Sequence, residues 1–114
     1  MLAKKNRLSA QKEYDLVFKK GQIYFSPFFN VRVATLIVGP SRFGIVTSTN
    51  ISKKAVARNL IKRRIRAIIS KNLANIKDNL SITIHVKPAS LNLDYPSLEK
   101  ELLFLFKKGS IFKV

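Results

Sequence analysis

The chain has 114 residues, one domain's length, and carries 22 Lys and Arg against 6 Asp and Glu, a net charge of +16. Hydrophobic residues make up 46%, enough for a modest core, which excludes a disordered basic tail. With no cysteine the chain has no disulfide, no thiolate chemistry and no zinc site of the finger type.

Residues 1–8 read as a basic arm with little local structure, carrying Lys4, Lys5 and Arg7. Ser9 is placed to cap a first helix that Gly21 closes, with Lys19 and Lys20 where the helix dipole favours cations. On it Tyr14, Val17 and Phe18 share one face. From Pro27 a strand is predicted over Phe28 to Leu36, in which Phe29, Val31 and Val33 alternate with Asn30, Arg32 and Ala34. Gly39, Pro40 and Ser41 make a turn, and Phe43 to Ser48 returns as a second strand, most simply the other half of a hairpin.

A basic helix follows, capped near Ser52 and running to about Ser70. Its sequence from Lys53 to Arg66, KKAVARNLIKRRIR, concentrates the chain's charge. At 100° per residue Arg58, Asn59, Lys62, Arg63 and Arg66 fall within an arc of roughly 140°, and Ala57, Ile61, Ile65 and Ile68 within a separate arc of about 80°. Such a helix docks its Ile side on a core and turns a cationic, amide-bearing face outward. The polar stretch Asn72 to Asn79 ends that pattern, Ser81 to Val86 gives another strand, and Pro96 opens a last helix faced by Leu98, Leu102, Leu105 and Phe106. The order α-β-β-α-β-α, with room for short extra strands, predicts a single α+β domain over residues 1–114 with helices on a small sheet.

Charge and acid placement narrow the function. Such a cationic excess draws the protein to polyanions, with strongly salt-dependent binding. No acid lies between Asp15 and Asp78, whereas an ordinary solvated helix face would mix acids among its bases. A nucleic-acid backbone is the partner this favours: Arg58, Arg63 and Arg66 can grip phosphates bidentately, Lys62 adds a point charge, and the Asn59 amide can bond a base, a phosphate or a hydrated metal ion. Tyr14 and Phe18 suit either a core or a platform for stacked bases.

Catalysis by the chain alone has little support. The pairs Glu13/Asp15 and Glu99/Glu101 have i,i+2 spacing, which on a helix turns the side chains apart, whereas two-metal hydrolysis needs converging carboxylates. His85, the single histidine, alternates with Ile84 and Val86 along a strand and has no evident orienting partner, so it reads as a sheet-face histidine. The apolar runs Val33 to Val38 and Leu102 to Phe106 fall far short of the ~20 residues a span requires. The start MLAKKNRLS lacks a secretory signal's apolar stretch, so a cytoplasmic protein without a membrane partner is expected.

Three segments carry a resemblance that runs nearly end to end. KKNRLSAQKEYDLVFKKG (4–21), RFGIVTSTNISKKAVARNLIKRRIR (42–66) and KPAS (87–90), followed by a leucine-rich helix reaching FKKGSIF, are together similar to the bacterial ribonuclease P protein subunit. The resemblance implies a compact α+β fold, a small mixed sheet with about three helices and a left-handed β-α-β crossover. It implies that the protein joins a catalytic RNA, which holds the active site, and assists metal-dependent removal of the 5′ leader from precursor tRNA. Mg²⁺ bound mainly by the RNA is the implied cofactor, and no further protein partner is required.

Carried over by position, Lys53, Lys54, Arg58, Asn59, Lys62, Arg63 and Arg66 match the family's RNA-binding helix region, with Asn59 an indirect metal contact. Tyr14 and Phe18 match the aromatics of a cleft for the leader, and Asn30 and Arg32 stand at first-strand cleft positions that are often apolar or aromatic in the family. Leu60 replaces the third residue of the Arg-Asn-Arg triplet, and Ser48, Thr49 and Asn50 replace a Ser-Lys-Lys edge. Two other classes remain as alternatives. A ribosomal or RNA-chaperone protein would bind RNA without any part in cleavage, and a stand-alone nuclease would cut without an RNA partner.

Overall fold

The alternation of Ile82, Ile84 and Val86 marks the strand around which the sheet is built. A computed structural model describes residues 2–35, 37–47 and 52–113. Its elements are α1 (Gln11–Lys20), β1 (Gln22–Phe25), β2 (Phe29–Ala34), β3 (Arg42–Val46), α2 (Ala55–Asn72), β4 (Ser81–Val86) and α3 (Tyr95–Lys108), with 3₁₀ turns at Lys4–Asn6, Leu73–Asn75 and Pro88–Asn92. The expected strand end at Leu36, and Ser48, Thr49 and Asn50, lie outside the described residues.

The sheet order is β1-β2-β4-β3. β1 and β2 are antiparallel, as are β2 and β4, while β3 and β4 run parallel. The hairpin expected of β2 and β3 is therefore absent, because β4 inserts between them. Val31 and Ile45 both lie beside Ile84, on its two sides. Parallel neighbours need a crossover rather than a tight turn, and α2 supplies it. Burial explains the preference: central β4 is buried almost throughout and gains two partners, whereas a hairpin would have left it an edge.

Alternation gives the sheet two unlike faces. Phe29, Val31, Phe43, Ile82, Ile84 and Val86 turn to one side, where they meet Ile61, Ile65, Ile68 and Ile69 of α2 and Leu98, Leu102, Leu105 and Phe106 of α3. All are buried, and each such side chain contributes about 1.5–3 kcal/mol relative to exposure. Tyr24 of β1 packs against this core, so β1 is a short extra strand with a real anchor. The other face carries α1, held through a small cluster of Leu8, Val17 and Ala34 with Tyr14.

Several local expectations are corrected. Ser9 does not cap α1, whose N-cap is Ala10 without a side-chain bond. Ser52 is not the N-cap of α2 either; Lys54 is, and the Ser52 hydroxyl instead accepts from the Lys54 amide at 3.1 Å. At α3 the N-cap is Asp94, whose carboxylate accepts from the Ser97 amide at 2.9 Å and is held below the usual carboxylate range by the Ser97 side chain and then by that amide, and Pro96 is the second helical residue. The N-terminal segment is also more ordered than its charge implied. Leu2 and Leu8 are buried, Asn6 donates from Nδ2 to the Ser41 carbonyl at 2.9 Å, and the Leu8 amide bonds the Phe43 carbonyl. Two leucines and one buried amide thus fasten a basic arm along β3.

Candidate nucleic-acid interface

The α1 face of the sheet is only partly covered. Tyr14 lies against β3 at Gly44, where any Cβ would overlap the phenol ring, so the absence of a side chain there lets the helix approach. Its hydroxyl donates towards the Leu8 carbonyl at 3.4 Å. Burial pushes the Tyr14 pKa up, partly opposed by the positive charge of Arg66. Tyr14 is therefore a half-buried, neutral wall rather than a free platform.

Phe18, one turn further on, is 61% exposed. The Arg32 guanidinium stacks over its ring at 4.2 Å from the centroid, and His85 meets it edge-on with centroids 6.4 Å apart. Arg32 also approaches His85 Nδ1 at 3.4 Å. Because arginine only donates, Nδ1 must accept and the hydrogen sits on Nε2. Burial, and then the Arg32 charge, lower the His85 pKa below 6.5, which agrees with that neutral form.

Tyr14, Phe18, Thr47, Lys62, Thr83 and His85 border a cavity of about 400 Å³. The Thr83 hydroxyl there is buried and has no hydrogen-bond partner among the described residues.

Beside this cleft runs the basic surface. Asn59, Lys62, Arg63 and Arg66 line a second cavity of about 470 Å³ together with Arg7 from the arm. A third, of about 420 Å³, is bordered by Lys4, Lys5, Arg7, Arg42 and Arg66. Lys62 thus borders both the aromatic cleft and the helix groove, while Arg7 and Arg66 join that groove to the arm. Arg58 stands apart from this group: its Nη1 donates to the Ser52 carbonyl at 2.8 Å, tying it back to the segment before α2. Lys53 and Lys54 are exposed just ahead of the helix, and Leu60 is 40% exposed.

Acids reach the edges of this surface but not its α2 face: Glu13 pairs with Arg42, and Asp15 borders the aromatic cleft. The two ion pairs found among the described residues are Arg42–Glu13 at 3.1 Å and Lys71–Glu99 at 3.2 Å, neither on the Arg58–Arg66 face. Among the described residues no three of His, Asp and Glu converge as metal ligands would. No described helix is long and apolar enough to cross a membrane. A larger cavity, about 780 Å³, lies around Phe104 and Phe112 on α3 and the C-terminal segment, away from these groups.

Of the residues expected from sequence, Tyr14 and Phe18 share one cleft, Arg32 stacks on Phe18, and Asn30 lies opposite His85 on the same sheet face. Asn59, Lys62, Arg63 and Arg66 form the groove, Arg58 is diverted, and Lys53 and Lys54 flank it. His85, Thr83, Arg7 and Arg42 join the site without having been singled out for it. His85 and Thr83 are in phase along β4, a signal that becomes readable only once β4 is known to pair with β2.

Fold and surface together define a class, a small α+β protein with a continuous, largely basic face. The family model described as Ribonuclease P matches residues 2–110. The ribonuclease P protein component of a Pseudanabaena strain is 31% identical over 112 residues, covering 97% of each chain. That of Rippkaea orientalis is 36% identical over 115 residues, covering 96% of this chain and 91% of the relative. The solved RNase P protein from Thermotoga maritima superposes with a TM-score of 0.81 at 27% identity, covering 90% of this chain and 96% of that one. The Staphylococcus aureus RNase P protein shares the fold with a TM-score of 0.88 at 22% identity, covering 95% and 98%. The chain belongs to the ribonuclease P protein family.

Proposed function

We propose that the chain is the protein subunit of ribonuclease P, binding the catalytic RNA and the 5′ leader of precursor tRNA and assisting removal of that leader. The observation that carries this reading is the position of Lys62, which borders the aromatic cleft and the basic groove at once. A strand held in the cleft is thereby led directly to the surface where a second, folded RNA would sit. The reading places the protein in the cytoplasm, with precursor tRNA.

Each part of the surface has a physical role in this scheme. The Arg63 and Arg66 guanidiniums can clamp phosphates bidentately, and Lys62 and Arg7 screen repulsion between two crowded RNAs. Phe18, with Arg32 above one ring face, offers a stacking platform, worth about 1–3 kcal/mol per base in other single-strand binders. Mature tRNA has no leader, so that contribution favours substrate over product. About 1.4 kcal/mol already gives a tenfold preference.

Magnesium fits this chain only indirectly. Asn59 brings one amide oxygen into a groove otherwise lined by Lys62, Arg63, Arg66 and Arg7, whereas direct Mg²⁺ binding uses carboxylates and substrate phosphates with several waters retained. Asn59 would bond a water of a hydrated ion whose principal ligands belong to the RNA. When bound there, the ion supplies charge neutralisation and an activated water. The protein's residues order the phosphates around it.

The test is cleavage of a precursor tRNA at low Mg²⁺ with bacterial catalytic RNA alone, the protein alone, and both together. Cleavage at the mature 5′ end that is far faster with both present is expected. No stimulation over RNA alone, with tight binding to ribosomal RNA instead, would point to a general RNA-binding protein.

A further inference from the structure

Beyond the α1 cleft the same sheet face continues onto β1, and there it is neither covered nor polar. Strand register fixes two rows across the sheet. One runs Val46, His85, Asn30, Phe25, and the other Gly44, Thr83, Arg32, Ile23. Their β3 and β4 members border or underlie the cleft, and their β1 members are 69% (Phe25) and 43% (Ile23) exposed. With strands about 4.8 Å apart, the distance from the cleft strands to β1 is on the order of 10–14 Å.

Single exposed apolar residues are ordinary on a protein surface. Here three of them, Phe18, Ile23 and Phe25, share one face, and both aromatic rings have a cation beside them. Arg32 lies over Phe18, and the Lys87 ammonium stands 5.8 Å from the Phe25 ring centroid. Lys87 is held in place by donating to the Ser26 carbonyl at 2.7 Å. A ring beside a fixed cation suits a base and its phosphate together, and suits an apolar protein partner poorly.

We propose that β1 is a second single-strand platform, on which Phe25, Ile23 and Lys87 hold leader nucleotides lying 5′ of those in the α1 cleft. This rests on the leader-cleft reading above and extends it. The strand entering at Lys62 passes Phe18 and Arg32 and leaves the sheet over Phe25. Precursors with long leaders would accordingly bind more tightly than precursors with short ones, and the gain would depend on Phe25.

The test compares Phe25→Ala, Phe25→Trp and Phe18→Ala in the reconstituted RNA–protein holoenzyme. Substrates carry leaders of about four and about ten nucleotides, a span bracketed by other single-strand sites, with mature tRNA alongside. Phe25→Ala should weaken binding of the long-leader precursor about tenfold, a stacking loss near 1.4 kcal/mol, and leave the short-leader precursor and mature tRNA unchanged. Phe25→Trp should retain the long-leader affinity. Equal loss at both lengths would assign Phe25 to the catalytic RNA and overturn the proposal, as would no loss at either. Phe18→Ala separates the two readings. A loss with both precursors but not with mature tRNA keeps the cleft standing even if Phe25 is silent. Phe25 is exposed, so unchanged thermal melting of its variants is expected.

Discussion

The two faces of β4 are made by alternate residues of one six-residue segment, yet they serve opposite ends. Ile82, Ile84 and Val86 enter a closed core between sheet, α2 and α3. Thr83 and His85, one residue out of phase, border the cavity of about 400 Å³ beneath α1, with His85 held below its usual pKa by burial and the Arg32 charge. Apolar burial on one side stabilises the fold strongly enough that the other side can keep polar and aromatic groups unfilled. A binding surface of this kind is carried by the face that contributes less to stability.

The sharpest way to break that division is on the core side. Phe106→Ala removes a fully buried ring stacked on Phe43 and should cost about 3–5 kcal/mol in denaturant unfolding. The fraction still folded should bind RNA with unchanged affinity; a parallel loss of affinity would show the faces to be coupled. On the cleft side Phe18→Ala should weaken precursor-tRNA binding by about 1–3 kcal/mol while the melting temperature stays put, because the ring is exposed. Gly44→Val tests the seam between the faces. Its side chain would overlap the Tyr14 ring, and overpacking of this sort costs about 1–3 kcal/mol. Chemical-shift changes should then centre on Tyr14 and spare Phe106.

Two smaller effects refine the comparison. Arg63→Ala should make the fall of log affinity with log salt shallower by about one unit, as expected when one phosphate contact is lost. An unchanged slope would remove Arg63 from the interface. His85 gives a pH signature, because its folded pKa lies below 6.5 through burial and the Arg32 charge. As pH falls through 6.5 the unfolded chain takes up a proton that the folded chain refuses, so stability falls with it. The fall levels off below the folded value. His85 is the single histidine, so His85→Gln should flatten this part of the stability profile. A profile unchanged by the substitution would place the titration elsewhere.

How much of this was legible in the sequence depended on the range of the signal. The Ile61, Ile65 and Ile68 spacing identified α2 and its buried side, and alternation identified β2 and β4, because both patterns are local. Strand pairing was not legible in these local patterns. Gly39-Pro40-Ser41 has the composition of a hairpin turn, but nothing between residues 29 and 46 shows that β4 will arrive between the two strands. For the same reason His85 could not be joined to Phe18 and Arg32, and Arg7 could not be joined to Arg66. The arc of cations on α2 was readable from helical geometry, yet Arg58 left it for a backbone carbonyl six residues away, a choice that charge counting does not see. The end-to-end resemblance supplied what local patterns did not, the family and a mixed sheet with a β-α-β crossover.

The interleaved strand order also governs how the chain is made. A strand that joins its two neighbours only after the whole of α2 has been synthesised leaves Phe29, Val31 and Phe43 without their central partner until residue 86 has left the ribosome. Closing that long connection is the slow, entropically costly step in such topologies. Before it, the nascent chain shows a half-built sheet to its surroundings, and such unpaired edges favour aggregation. Its surplus of positive charge, so useful once folded, keeps neighbouring copies apart during that interval.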